Sequence, residues 1–494
     1  PGVFAGKPRH GIVPSFEHRV GDSNPVRIGF ASAPVVQENP AEEIQQLQAP
    51  CEVSGRFDEA ADFDVYRFKA TKGQTWWIEV ISERMGAMTD PYVLVERIDA
   101  EEKAKVAESD DPPSFYGPDT LDDLNVDTLD PSLSFAAKED GEFQVSIFNN
   151  SASGSLAHLY RLAIREAKPD FQLIAGTELT KTINNDAWPM APLLRQGGSL
   201  IYRILVFRQD GFEGDIVVTA EGLPEGVTAP PLVMTGTTHE GYLTLQCAPG
   251  TPAWTGPIRI VGRAKIGDTE IAHDARSASI IWGIRVFANQ RQVRSRLDEE
   301  IVLSIIDSET EPTRIATAED KIWKVALKEK LEIPIKIEDV ARLGAMQVEV
   351  FGFPGLLRSP PKVSVPEGAK EAKLEINFTP TGSFKVVPGK HQFVLQGIGN
   401  TNYVYNPNGA TRAEAEAKRI ADLAAAAAED LKKAQSAGEG DVSALQAKVT
   451  RANALKAAAD KAAKAAADLA KEKKTQFATY SLPITVEVTE AAAK

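Results

Sequence analysis

Short runs of alternating apolar and polar residues begin at Cys51 and continue along most of the chain. A period of two predicts β-strands with one buried face, and the intervening Gly and Pro residues predict tight turns. The spacing of the runs is typical of an antiparallel sandwich. The strands predicted for this first unit are 64–69, 77–82, 92–98, 133–136, 142–148 and 160–164.

A second unit follows, and a third repeats it. The segment Val218–Pro224 aligns with Val348–Pro354 at a shift of 130 residues without a gap, and more matches follow nearly in register. We interpret this as an internal duplication, in which strand 279–287 corresponds to strand 481–488. The strands predicted for the second unit are 200–207, 215–220, 241–247, 258–264 and 277–287.

Residues 407–475 differ from everything around them. Positions 410–474 hold 25 alanines and no aromatic residue, a composition of strong helix formers. Because Gly438–Asp441 interrupts the run, the sequence predicts two antiparallel helices, 411–436 and 441–473. Steps of three and four predict a seam of small side chains. In the second helix this seam is Leu445, Val449, Ala452, Leu455, Ala459, Ala462, Ala466 and Leu469. Such a hairpin is either a solvated spacer or an oligomer contact.

The predicted fold is mainly β, with three sandwiches in series and the helical hairpin inserted in the last. The first sandwich is expected to be jelly-roll-like and the other two immunoglobulin-like. The predicted division is 1–48 as an extended lead segment, 49–168, 169–288, and 289–406 plus 476–494 as the three sandwiches, with 407–475 as the insert.

Charge narrows the possible partners. The chain has 55 Lys and Arg against 69 Asp and Glu, a net charge of -14, which argues against a general nucleic-acid binder. No apolar run is long enough to span a bilayer.

No signal peptide is visible at Pro1, as expected if it has been removed or if the chain is part of a longer polypeptide. Cys51 and Cys247 lie in different predicted domains, so we expect two unpaired thiols.

Residues 49–166 resemble the bacterial pre-peptidase C-terminal domain. The motifs that carry the resemblance, in order, are Val53–Phe57, Asp62–Phe68, Lys72–Gln74, Glu83–Gly86, Asp90–Pro91, Ser109–Asp111 and Glu139–Phe143. The resemblance implies a jelly-roll-like sandwich of the kind found on secreted proteins and often attached to peptidases.

The whole chain is similar to large exported multi-domain proteins of planctomycete-type bacteria. The similar segments are Lys168–Leu173, Gly211–Ile216 and Glu221–Val227, together with the alanine-rich insert. This similarity implies an exported, extracellular, surface or periplasmic location and a modular build, and it implies no reaction.

Patterns for catalysis do not emerge from the sequence. It has no His-Glu-x-x-His zinc helix, no Gly-x-Ser-x-Gly elbow and no phosphate-binding loop. The six histidines are scattered, and no cysteine pair has zinc-ligand spacing. We therefore expect the chain not to be an enzyme.

Acidic residues offer the best candidate site, and calcium is the ligand they suit. Asp110 and Asp111 open an acidic loop that continues through Asp119, Asp122, Asp123 and Asp127. Some members of the family that residues 49–166 resemble bind calcium through a Glu-x-Asn segment and an Asp-x-Asp. The resemblance implies that Asp62 and Asp64 match the second part, whereas the first part is reduced to Glu38-Asn39. A solvated acidic loop without a metal is the alternative.

Two functions from different classes remain. The first is a non-catalytic exported scaffold that contacts other copies or other surface proteins, with the hairpin as an assembly contact. The second is an accessory region of a secreted hydrolase that binds carbohydrate or protein, its catalytic domain lying outside this chain. Exposed aromatic residues would serve the second function, although core or edge packing is the favoured explanation for each. The candidates are Trp76, Trp77, Tyr116, Tyr403 and Tyr405.

Overall fold

The computed structural model describes residues 15–18, 20–21, 23, 26–98, 103–111, 128–177, 193–236, 238–282, 294–298, 300–339, 343–353, 360–381, 386–438 and 440–491. In these residues the chain is mainly β, with several sheets and two C-terminal helices that form a hairpin. The predicted fold class is therefore confirmed.

The first body consists of two five-stranded sheets, ordered β10-β7-β12-β5-β3 and β4-β6-β11-β8-β9, beside a two-stranded ribbon, β1-β2. The core between the sheets holds Tyr66, Phe68, Trp76 and Phe143, which alternate with outward residues as the sequence predicts. The strands are β1 Ser15–His18, β2 Val26–Gly29, β3 Val35–Gln37, β4 Gln45–Gln46, β5 Cys51–Arg56, β6 Phe63–Ala70, β7 Thr75–Ile81, β8 Pro91–Ile98, β9 Lys103–Ser109, β10 Ser132–Ala136, β11 Gly141–Asn149 and β12 Leu159–Glu166.

The end of the expected lead segment belongs to this first body. Strand β3 pairs in parallel with β5, and β4 pairs in parallel with β6, so each extends one of the two sheets. The first body therefore begins before residue 49. Residues 1–14 of the lead segment lie outside the described residues.

The second body has one sheet ordered β17-β19-β15-β13-β22-β23 and another ordered β14-β24-β20-β16-β18, with β21 paired to β20. Its core includes Ile301, Leu303 and Ile305 of β24, so it extends past the predicted boundary at residue 288. The strands are β13 Asp170–Thr177, β14 Leu193–Gln196, β15 Ser199–Gln209, β16 Ile216–Glu221, β17 Val227–Thr228, β18 Leu232–Met234, β19 Glu240–Cys247, β20 Trp254–Ile266, β21 Thr269–Asp274, β22 Arg276–Trp282, β23 Arg294–Asp298 and β24 Ile301–Thr310.

The third body repeats this arrangement with a three-stranded sheet, β25-β27-β30, and a larger one, β26-β33-β31-β28-β29, with β32 paired to β31. Its strands and helices are β25 Thr313–Thr317, β26 Trp323–Ala326, β27 Lys330–Asp339, β28 Leu343–Phe351, β29 Lys362–Val365, β30 Glu371–Asn377, β31 Gly389–Tyr403, α1 Pro407–Ala437, α2 Val442–Leu469, β32 Lys473–Tyr480 and β33 Ile484–Thr489.

The pairing of strands supports the duplication and corrects one correspondence in it. Strand β33 pairs in parallel with β26 and antiparallel with β31, as β24 pairs in parallel with β14 and antiparallel with β20. The partner of 481–488 is therefore β24, not 279–287. The hairpin occupies the place of the short β20–β21 turn, and two strands follow it. Residues 283–287 of the expected partner lie outside the described residues.

The two helices of the hairpin pack along a regular seam. The seam of α1 buries Ala417, Ala424, Ala427 and Leu431. No residue of α2 is buried. Its half-buried positions are Leu445, Val449, Ala452, Lys456, Ala459, Ala463 and Ala466. The predicted seam is wrong at Leu455, Ala462 and Leu469, which are exposed.

Candidate calcium sites

The four predicted ligands divide between two places in the first body. Asp62 and Asp64 lie at the start of β6, next to Glu38 in the loop after β3. Asp110 and Asp111 follow β9 and approach Asp90 at the start of β8. The structure therefore supports two separate acidic groups, and Asp119, Asp122, Asp123 and Asp127 lie outside the described residues.

In the first group, Asp64 is held by buried tyrosines. The Tyr160 hydroxyl donates to Asp64 Oδ2 over 2.8 Å, and the Tyr66 hydroxyl lies 2.5 Å from the Tyr160 oxygen. Because Tyr160 donates to the carboxylate, Tyr66 donates to Tyr160. This chain fixes the carboxylate at the edge of the core, where solvent contributes little to stabilising its charge.

The pKa of Asp64 is raised to about 8, first by burial and then by the negative charges of Glu38 and Asp62, against the Tyr160 hydrogen bond. Burial also raises the pKa of Glu38, although a hydrogen bond from the Arg56 backbone N–H opposes the shift. Because its pKa is about 8, Asp64 therefore retains its proton at neutral pH. A divalent cation bound here would replace that proton, because carboxylate ligands bind metals in their ionised form.

The remaining neighbours fit calcium only in part. The Asp62 carboxylate accepts hydrogen bonds from the backbone N–H groups of Asp58 (2.6 Å) and Phe63 (2.9 Å). Asn39 is engaged in its own loop, where its side-chain amide donates to Glu42 Oε1 over 2.8 Å. Within this first group, the neighbouring Glu38 and Asp64 carboxylates therefore remain as the candidate ligands for a hard cation.

In the second group, one carboxylate oxygen from each of Asp90, Asp110 and Asp111 lies within 4.8 Å of the others. Asp110 Oδ1 also accepts a 2.8 Å hydrogen bond from the Asn150 amide. Burial, followed by the charges of Asp90 and Asp110, raises the pKa of Asp111. Sequence reasoning missed Asp90 as a member of this group, since only the β8–β9 pairing brings it next to residues 20 positions later.

The predicted aromatic candidates are mostly packed inside. Trp76 is 2% exposed and belongs to the core, whereas its neighbour Trp77 is half-buried. Tyr403 is buried against Phe477, with ring centroids 4.6 Å apart, and Tyr405 is half-buried. Tyr116 lies outside the described residues. The two cysteines, Cys51 and Cys247, are free and buried.

No family profile and no curated protein matches this chain. Among solved structures, the pre-peptidase C-terminal domain of a collagenase from Bacillus anthracis is similar at 15% identity over 26% of this chain and 100% of that chain, with a TM-score of 0.19. A β-glucuronidase from Parabacteroides merdae is similar at 9% identity over 47% of this chain and 23% of that chain, with a TM-score of 0.13. Both likenesses are weak and carry no argument about function.

Proposed function

We propose that this chain is a non-catalytic scaffold of an exported or surface protein, in which three β-bodies form one rigid unit. The links between the bodies are short. Strand β12 ends at Glu166 and β13 begins at Asp170, and β24 ends at Thr310 before β25 begins at Thr313. Links of this length leave little freedom once the flanking strands are fixed.

A buried ion pair joins the first body to the second. The Arg165 guanidinium of β12 pairs bidentately with Asp210 of the second body, with Nη2 2.9 Å from Oδ1. The Lys168 backbone N–H donates to the same carboxylate over 2.8 Å. Because the Asp210 side chain is only 4% exposed, its loss would leave Arg165 with the weaker contact to Glu79, whose Oε2 lies 3.5 Å from Nη2.

An apolar cluster between the second and third bodies carries the proposal. Ile201 and Tyr242 of the second body are buried with Val394 and Tyr480 of the third. The rings of Tyr242 and Phe351 lie 4.7 Å apart. Two bodies that bury apolar side chains against each other resist relative rotation, unlike bodies joined by a bare linker.

Hydrogen bonds and a close backbone contact complete this junction. The Tyr480 backbone N–H donates to Ser199 Oγ over 2.8 Å, and the Val233 backbone N–H donates to Gln392 Oε1 over 2.7 Å. A Cβ atom at Gly352 would lie 2.3 Å from the Tyr242 ring, and its φ of +80° also favours glycine.

The hairpin is the part of the scaffold that we propose for assembly. Its base is fixed, since the Tyr403 hydroxyl donates to the Thr310 carbonyl over 2.8 Å. Its outer face is not covered by the described part of the chain: Leu455 is 52% exposed and Leu469 is 58% exposed. None of the described helices is long and apolar enough to cross a membrane. The exported location remains part of this proposal and follows from the sequence resemblance.

Small-angle X-ray scattering tests the rigid scaffold. The wild-type curve is expected to fit a single shape, and Tyr242→Ala is expected to raise the radius of gyration by loosening the second junction. Val302→Ala, which changes a 45% exposed side chain of β24, serves as the control and should leave the curve unchanged. A wild-type curve that requires an ensemble of shapes would contradict the proposal.

A separate experiment tests the assembly role. Light scattering, with each mass divided by that of the corresponding monomer, should show an oligomer for the wild type and a monomer for a variant in which a short linker replaces residues 408–475. The same number of copies for both proteins at all concentrations would favour the solvated spacer, and the rigid scaffold would stand without the assembly contact.

A further inference from the structure

Three aromatic rings lie in a row on the outer face of the first body. Phe148 of β11 is directly opposite Phe63 of β6 on one side and Tyr92 of β8 on the other. The ring centroids are 5.9 Å apart for Phe63 and Phe148 and 4.9 Å apart for Phe148 and Tyr92, with interplanar angles of 19° and 26°. We call these three residues the aromatic row.

The aromatic row is accessible. Phe63 is 52% exposed, and Phe148 and Tyr92 are half-buried. Val65 lies two positions after Phe63 on β6, and Leu94 lies two positions after Tyr92 on β8. Both are half-buried and extend the apolar surface on the same face. An apolar patch of neighbouring side chains on a sheet face is typical of a binding surface rather than of scattered exposure.

Hydrogen-bonding groups border one end of the aromatic row. The Tyr92 hydroxyl donates to Glu108 Oε2 over 2.6 Å, and the Asn150 amide donates to Asp110 Oδ1 over 2.8 Å. Asp90 and Asp111 stand beside Asp110. This border consists mainly of acceptors that carry negative charge.

We propose that the aromatic row and its acidic border bind a neutral polysaccharide. Aromatic rings pack against the C–H faces of sugar rings, and the carboxylates accept hydrogen bonds from sugar hydroxyls. The row crosses three strands, a length of about 10 Å, which suits consecutive sugars of one chain. The acidic border disfavours anionic polymers, lipid surfaces and nucleic acids. This inference goes beyond the scaffold role and does not depend on it.

A peptide is a poorer occupant of this face. Extended peptides commonly bind by adding a strand to a free sheet edge. Strand β11 is already paired with β6 and β8 along the aromatic row, and β8 is paired with β11 and β9. The face therefore offers side chains and hardly any free backbone, which suits a ligand recognised through rings and hydroxyls.

Affinity electrophoresis of the full chain tests the proposal. Native gels would contain xylan, galactomannan or mixed-linkage β-glucan as neutral polymers, alginate as an anionic one, and gelatin as a protein. We expect retardation in at least one neutral gel and none in alginate or gelatin. Phe63→Ala should weaken binding about tenfold, since it removes an aromatic contact surface. Phe63→Tyr should retain it, because the ring is preserved.

Phe30→Ala is the matched control, since Phe30 is a comparably exposed aromatic residue (58%) outside the row. Melting temperatures of all variants would show that each is folded. The proposal would be overturned by no retardation in any neutral gel, by retardation that Phe63→Ala leaves unchanged, or by binding to gelatin that Phe63→Ala abolishes.

Discussion

Neutralising Glu311 is expected to stabilise the protein, and increasingly so as the pH rises. This residue follows β24 at the junction with the third body, and it is 4% exposed. Its Oε1 atom has no hydrogen-bond partner among the described residues. The nearest cation is Arg195, whose Nη1 lies 3.9 Å from Glu311 Oε2, while Arg195 Nε donates to Glu309 over 2.7 Å. Glu311 is therefore a buried carboxyl with little compensation for its charge.

Burial raises the pKa of Glu311 from 4.5 to about 7, the charge of Glu309 adds to the shift, and Arg195 opposes it. The folded state thus holds this proton more tightly than the unfolded state. The contribution of Glu311 to the free energy of unfolding is therefore highest below pH 4.5. It falls as the pH rises from there to about 7 and is constant at higher pH. At ~1.4 kcal/mol for each pH unit, the loss at pH 8 is on the order of 3 kcal/mol.

Urea denaturation of wild type and Glu311→Gln at pH 5, 6, 7 and 8 measures this effect. The variant does not titrate at this position, so its advantage over the wild type should grow by about 2.5 kcal/mol between pH 5 and pH 8. Glu332→Gln, which changes a 56% exposed side chain, is the control and should give a constant difference. An equally constant difference for Glu311→Gln would refute the reasoning.

Three further predictions concern the hairpin, the calcium site and the first junction. Replacing 408–475 with a short linker should leave the protein folded, with a similar melting temperature, because Gln476, the first residue after the deletion, is already paired with Asn400 across the β31–β32 ladder; unfolding of this variant would show that the helices belong to the core. Calcium should raise the melting temperature more at pH 8 than at pH 6, since the Glu38–Asp64 pair must lose its proton, and Asp64→Asn should abolish the effect; an equal rise in that variant would place the metal elsewhere. Asp210→Ala should cost about 3 kcal/mol in calorimetry, because Arg165 loses its bidentate partner and keeps only the longer contact to Glu79; a loss under ~1 kcal/mol, typical of a surface pair, would contradict the buried junction.

Local patterns were sufficient to predict most strands. Alternation in 64–69 predicted β6, and in the structure Tyr66 and Phe68 form the buried face of this strand. The composition of the insert likewise predicted both helices to within about four residues at each end. These strands and helices depend mainly on residues that are close in sequence, so the local pattern of residue types is enough to predict them.

Such local patterns could not predict which strands pair when they are far apart in sequence. No local pattern shows that β24 occupies in the second body the position that β33 occupies in the third. Each position is defined by the distant strand with which β24 or β33 pairs. The aromatic row has the same origin, since Phe63 and Phe148 become neighbours only through the β6–β11 register. In α2, steps of three and four fit two adjacent stripes, and only packing against α1 leaves Leu455 outside.

The central claim, a rigid series of β-bodies, is tested most directly by a distance between spin labels on the first and third bodies. Lys69→Cys in β6 and Lys373→Cys in β30 give exposed labelling positions, and the native Cys51 and Cys247 are buried. Pulsed electron paramagnetic resonance should then yield one narrow distance distribution, because both junctions are fixed by buried contacts. A broad or multiple distribution in the wild-type background would contradict the account.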